Sequence, residues 1–96
     1  MKIVEFIEKN RKDILSIARK HGALNVKLFG SLAKGTANEE SDVDILVSME
    51  PGSSLFDIIA IKQDLEDLLK RKVDVVTENS ISSYIREEVL KEAINL

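Results

Sequence analysis

The chain has no cysteine and only one histidine in 96 residues. Disulfide frameworks, thiol nucleophiles, cysteine-rich zinc sites and iron–sulfur clusters are thereby excluded together, and any metal must be held mainly by oxygen. Long apolar runs are also missing. No segment reaches the roughly 18 consecutive apolar residues of a membrane-crossing helix, and the N-terminal MKIVEFIEKN carries acids within its apolar stretch where a signal peptide would have none. A soluble, cytoplasmic protein is expected. Proline occurs once, and with 44% hydrophobic and 32% charged residues the composition is that of a folding chain and not of a disordered tail. At about 100 to 200 residues per domain, residues 1–96 make a single domain. A domain this small buries roughly 60 to 70% of its unfolded surface, which supports one modest core and no large enclosed cavity.

The net charge of -3 is unevenly spread, +5 over residues 1–35 and -8 over residues 36–96. Solvated helices of opposite sign account for this most simply; a basic face meeting phosphate or an acidic partner is the sharper reading. The overall acidity argues against nucleic acid as the main partner.

Apolar residues at Ile3, Val4, Phe6, Ile7, Ile14, Leu15, Ile17 and Ala18 recur at helical spacing, closed by Arg19, Lys20, His21 and Gly22. Asn10 and Asp13 resemble an N-cap with its acid three residues on, which leaves open one helix or two meeting near Asn10. Asn25 to Phe29 predicts a first strand stopping at Gly30, and Ser41 to Ser48 a second, closed by Pro51 and Gly52. Ser54 and Asp57 form a capping-box pattern ahead of a stripe of Leu55, Ile58, Ile61, Leu65, Leu68 and Leu69, after which Lys70, Arg71 and Lys72 end the helix. Val73 to Thr77 is β-branched and predicts a third strand. A last helix is expected from about Ser82, with Ile85, Val89, Ala93 and Ile94 facing inward. Strands two and three, joined by a helix, should be parallel and strands one and two antiparallel. The fold class is α/β (α+β): a small mixed sheet of three strands or slightly more, packed by helices.

Asp42 and Asp44 are two apart on a strand, so their side chains leave the same face with α-carbons about 6.5 to 7 Å apart. Asp74 lies near the start of strand three. Parallel pairing would bring all three acids to the end of the sheet where strand one delivers Gly30 and Ser31. Three close carboxylates repel and raise one another's pKa unless cations compensate them. Mg²⁺ suits such a set, being held by a few carboxylates together with substrate phosphates, and two such ions can activate an attacking oxygen and neutralise a leaving pyrophosphate. Gly30 lets the backbone approach phosphate, Ser31 adds a hydroxyl and an N–H, Lys34 a cation, and Gly35 lets the loop turn back. Singly, each of these is explained by a turn, a cap or an edge charge. Joined, they favour a metal-dependent phosphate site.

The run FGSLAKGTANEESDVDILV, Phe29 to Val47, resembles the GSxARG and SDxDLxV signature of the minimal nucleotidyltransferases, a small branch of the DNA polymerase β-like superfamily. VDVVTENSISSYIREEVLKEAINL resembles that family's closing strand and helix, so the likeness spans essentially the whole chain. It implies a nucleotidyltransferase-like fold, with Gly30, Ser31, Lys34 and Ser41 on the nucleotide, two Mg²⁺ ions on the carboxylates Asp42, Asp44 and Asp74, and Asp74 acting on the incoming hydroxyl. It also implies ATP as substrate, AMP transfer to a tyrosine, and an antitoxin role toward a HEPN-domain toxin. Lys34 departs from the family's usual Arg, keeping the charge and losing the bidentate fork. With little chain beyond the catalytic core, the second substrate must be positioned by another protein or by self-association. The competing reading is a noncatalytic antitoxin that silences its partner by occlusion.

The other chemically conspicuous residues have plainer roles. His21 is expected to serve the dipole and last carbonyls of its helix, and Tyr84, the lone tyrosine, to pack the last helix. Ser31 as a hydrolytic nucleophile would need a base that the single histidine does not supply in any recognisable triad.

Overall fold

The computed structural model describes residues 3–38 and 41–96. Along the chain come α1 (Ile3–Lys9), α2 (Arg11–Lys20), β1 (Ala23–Leu28), α3 (Ser31–Lys34), β2 (Val43–Met49), α4 (Leu55–Leu69), β3 (Val73–Thr77), a 3-10 turn (Glu78–Ser80), α5 (Ser83–Glu92) and β4 (Ile94–Asn95). The strands form one mixed sheet in the order β3-β2-β1-β4. β1 runs antiparallel to β2 and β4, and β2 parallel to β3, as the connecting lengths require.

Alternation along the strands divides the sheet into two faces. Val43, Ile45 and Val47 of β2, Val26 and Leu28 of β1 and Val73 of β3 are buried in a core with Ile7, Ile14, Ala18, Ile61, Leu65 and Leu69 from the helices. Burying a side chain of this size contributes about 1.5 to 3 kcal/mol. The other face carries Asp44, Leu46 and Ser48 of β2. Leu46 is fully buried there, between its register neighbours Lys27 and Val76. Lys27 pairs with Glu78 at 3.4 Å, linking β1 to the turn that follows β3.

The expected helix boundaries hold where the chain itself supplies the stop. The Ser54–Asp57 capping box is present, the Asp57 carboxylate accepting from the Ser54 N–H at 2.9 Å. At the other end of α4, Lys70 takes a left-handed conformation, φ 56°, and its N–H donates to the Glu66 carbonyl at 2.9 Å. The N-terminal helical segment is two helices broken at Asn10. Asn10 does not cap α2 with its side chain; its Nδ2 donates back to the Phe6 carbonyl at 2.9 Å and so finishes α1.

Three expectations are corrected at single residues. The His21 N–H does bond the Ala18 carbonyl, yet its ring Nε2 meets the Asp64 carboxylate at 2.8 Å and ties α2 to α4. Tyr84 is not packed on the last helix's core side but is 95% exposed. No residue of α5 is buried, Ile85 is half exposed, and Ile94 lies in β4, itself 41% exposed. Helical periodicity marks a face fit to be covered, whereas coverage depends on a neighbour that α5 has only in part.

Candidate active site

β1 ends against β2 through a hydrogen bond from the Phe29 N–H to the Asp44 carbonyl, 3.1 Å. The chain then turns at Gly30, whose φ of 68° and ψ of -140° side chains other than hydrogen do not readily adopt. Space imposes the same choice. A Cβ on Gly30 would land on the Asp44 carboxylate, within 3.3 Å of its Cγ. The glycine thus lets the backbone pass directly over a carboxylate before α3 begins. Buried Leu32 anchors α3 to the core, and the Lys34 N–H donates to the Gly30 carbonyl at 3.1 Å, closing the turn. Ser31 is half-buried and the Lys34 side chain is exposed at the end of this single helical turn.

Asp44 and Asp74 are register partners on the parallel strands β2 and β3, so their side chains leave the same face of the sheet on adjacent strands. The ladder begins where the Val43 N–H donates to the Lys72 carbonyl at 3.0 Å. Asp44 sits above the usual carboxylate range, chiefly because it is partly buried, then because Asp74 and Asp42 repel its charge and Asp74 hydrogen-bonds it. Asp42, exposed and just ahead of β2, completes the group. Ser41 immediately precedes Asp42. Its hydroxyl accepts from the Asn38 N–H at 2.9 Å and donates to Asn38 Oδ1 at 3.4 Å, holding the loop that leads into Asp42.

None of the three aspartates forms an ion pair with a basic side chain among the described residues. Nor does any group of three or more His, Asp or Glu side chains among them close into a ready-made metal cage. An oxygen-only set of uncompensated acids fits a hard divalent cation whose remaining ligands are phosphate oxygens and water, the usual manner of Mg²⁺. Asp42, Asp44 and Asp74 are the residues that would hold it.

Two features of the site were not readable from the sequence. Glu66, on α4, accepts from the Val73 N–H at 3.0 Å and from Lys62 Nζ at 2.8 Å, fixing the residue before Asp74. The Lys62 hydrogen bond first, then the Val73 backbone bond, hold its carboxyl below the ordinary glutamate value. The i,i+4 spacing of Lys62 and Glu66 was visible in the sequence; the reach to Val73 was not. A cleft of about 240 Å³ also opens between the Gly30 turn and α5, walled by Phe29, Gly30 and Lys34 on one side and Ile85, Glu88, Val89 and Glu92 on the other. A larger cavity, about 490 Å³, lies at the opposite end of the sheet among Met49, Leu55, Ile58 and Thr77, away from the acids. Among the described residues no helix is long and apolar enough to cross a membrane.

Residues 3–96 match the model of the nucleotidyltransferase domain family. A candidate protein adenylyltransferase of Methanocaldococcus jannaschii is 39% identical over 90 residues, covering 94% of this chain and 97% of that protein. The protein adenylyltransferase MntA of Thermococcus cleftensis is 40% identical over 78 residues, 81% of this chain and 79% of that one. Among solved structures, a candidate minimal nucleotidyltransferase superposes with a TM-score of 0.89 at 44% identity, over 100% of this chain and 97% of that chain. A toxin–antitoxin crystal structure with AMP-PNP superposes with a TM-score of 0.75 at 26% identity, over 90% of this chain and 71% of that chain. The glycine turn laid over a carboxylate and the paired acids of β2 and β3 are thus set in a fold shared along the full chain, and the protein belongs to the minimal nucleotidyltransferases of the nucleotidyltransferase domain family.

Proposed function

We propose that this nucleotidyltransferase transfers AMP from Mg²⁺–ATP to a hydroxyl of a partner protein, a tyrosine of a HEPN-domain toxin, and acts thereby as an antitoxin. The observation that carries this reading is the β2–β3 register, which sets Asp44 beside Asp74 and against the Gly30 turn. A relative at 40% identity is named a protein adenylyltransferase, and a structural relative is a toxin–antitoxin complex with an ATP analogue, which supports both the donor and the kind of partner.

The strand order supports one division of the parts. β1 delivers Gly30, Ser31 and Lys34, which would take the β- and γ-phosphates through a close backbone approach, a hydroxyl and a cation. β2 lies next, and Asp42 and Asp44 would face the α-phosphate. β3 is outermost and brings Asp74 to the acceptor side. Bound Mg²⁺ would neutralise charge on the α-phosphate and on the leaving pyrophosphate. The acceptor oxygen attacks the α-phosphorus in line, the bond to the β-phosphate oxygen breaks with its electron pair leaving on pyrophosphate, and the hydroxyl proton passes to the Asp74 carboxylate. Asp44, already above its usual range through burial and its acidic neighbours, is the carboxylate with most to gain from a bound cation.

The test is transfer of label from ATP carrying radiophosphorus at the α position, with Mg²⁺, into proteins and RNA of the host lysate, by wild type and by Asp42→Ala/Asp44→Ala. A protein band labelled by wild type alone is the expected result and delivers the acceptor. No labelling by either chain, together with no rise of the wild type's Tm on adding Mg²⁺–ATP, would replace catalysis with occlusion of the partner.

A further inference from the structure

We propose that the outer edge of β3, backed by the Leu55–Ile59 side of α4, is where an extended segment of the acceptor protein docks, pairing with the backbone of Val75 and carrying its hydroxyl over the edge to Asp74. The inference rests on the reading that the acceptor is a polypeptide. It begins from the order of parts across the sheet. Triphosphate groups fall on β1, the α-phosphate on β2 and the proton acceptor on β3, so a hydroxyl aligned opposite the leaving pyrophosphate must arrive from beyond β3, where the sheet ends.

That edge is prepared in an uneven way. The Val43 N–H to Lys72 carbonyl bond sets the parallel alternation, so Lys72, Asp74 and Val76 turn their backbone groups toward β2 while Val73, Val75 and Thr77 turn theirs outward. Two of these outward positions are each capped at one backbone group by a side chain. Glu66 accepts from the Val73 N–H at 3.0 Å, and the Ser80 hydroxyl donates to the Thr77 carbonyl at 2.8 Å. Between them, the Val75 N–H and carbonyl take no partner among the described residues. Proteins usually close an exposed strand edge, and here the residue that follows Asp74 is the outward position whose N–H and carbonyl are both left uncapped among the described residues.

An independent surface feature lies on the same side. Glu66 reaches the β3 edge from α4, and Lys62, Ile59 and Leu55 precede it at helical spacings of four, three and four along that flank. Leu55 is 69% and Ile59 41% exposed, an apolar strip beside the open edge, and Leu55 and Thr77 also line the 490 Å³ cavity at its far end. An extended peptide added to a sheet edge gains affinity from main-chain hydrogen bonds and specificity from such flanking surfaces. Its alternate side chains project to the catalytic face beside Asp74, where attack on the α-phosphorus forms the AMP ester, releases pyrophosphate and leaves the hydroxyl proton on Asp74.

The test uses the acceptor protein that labelling identifies, with Val75→Pro and with Leu55→Asp/Ile59→Asp. Proline at Val75 removes an outward N–H and leaves the ladder to β2 intact. Each folded variant is expected to lower kcat/KM for the acceptor by about tenfold or more, mainly through KM, while the Tm rise on Mg²⁺–ATP matches wild type. Val75 amide exchange, fast in the free chain, should slow when the acceptor carrying Tyr→Phe at the modified position is added. Unchanged transfer by the folded double variant, or a Val75 amide that stays unprotected, overturns the proposal. Should Val75→Pro not fold by circular dichroism, the double variant and the amide decide. Failure of the underlying reading looks different: wild type itself labels no protein, and the docking proposal falls with it.

Discussion

The two faces of the sheet are built on opposite rules. Under the helices, Val43, Ile45 and Val47 are sealed from solvent and add stability with no chemistry to offer. One residue along, on the other face, Asp44 is set beside Asp74 with Asp42 nearby, and burial and mutual repulsion work against its charge. Glu66 makes the difference sharper, since it is also a carboxylate beside the start of β3. It has a lysine and a backbone N–H to satisfy it and sits below its ordinary value, whereas Asp44 sits above its own. Glu66 is met by a lysine and a backbone N–H, whereas Asp44 is met by other acids. The contrast fits a site whose missing positive charge arrives with the substrate.

The largest expected effect lies on the apolar face. Ile45→Ala should cost about 2 to 5 kcal/mol in chemical denaturation, because a fully buried side chain of β2 leaves a cavity in the core. Gly30→Ala comes next and crosses both faces' rules. It places a methyl group on the Asp44 carboxylate at a φ of 68°, costing about 1 to 3 kcal/mol and abolishing nucleotide transfer. A Gly30→Ala chain with wild-type transfer would break the assignment of the turn to phosphate. Glu66→Gln should have the smallest effect, and its pH dependence carries the information. A folded-state value held below that of the unfolded chain stabilises the protein above the ordinary glutamate range, and that contribution is lost as pH falls through the depressed value. Thermal unfolding should therefore show Glu66→Gln below wild type at neutral pH and level with it in strong acid.

Much of this arrangement was legible beforehand where neighbouring residues decide the outcome. The Ser54–Asp57 box, the apolar stripe of α4 and the β-branched run of β3 specify their elements locally, and the parallel pairing of β2 and β3 follows from the helix between them. The grouping of Asp42, Asp44 and Asp74 with Gly30 followed in turn. What depended on distant partners was not legible. β4 is two residues that become a strand only by pairing with Lys27 and Leu28, so Ile94 read as more helix. The hydrogen bonds between Asn38 and the Ser41 hydroxyl likewise depend on how the loop folds, which spacing alone does not reveal. Ile85 read as inward-facing because periodicity cannot tell a covered face from an uncovered one.

The measurement that tests the central claim most directly is thermal unfolding of wild type and Asp44→Asn, each with and without Mg²⁺–ATP, from pH 7 down to pH 4. A folded-state value raised above the unfolded one destabilises the protein wherever Asp44 is ionised, and the effect vanishes as the pH falls through the raised value toward the unfolded one. The account predicts that Asp44→Asn melts above wild type at pH 7 without ligand, that this advantage shrinks toward pH 4, and that Mg²⁺–ATP raises the Tm of wild type alone. An Asp44→Asn chain that melts below wild type at pH 7 and still responds to Mg²⁺–ATP would contradict it, making Asp44 a support of the fold and not the acid kept for the nucleotide's metal.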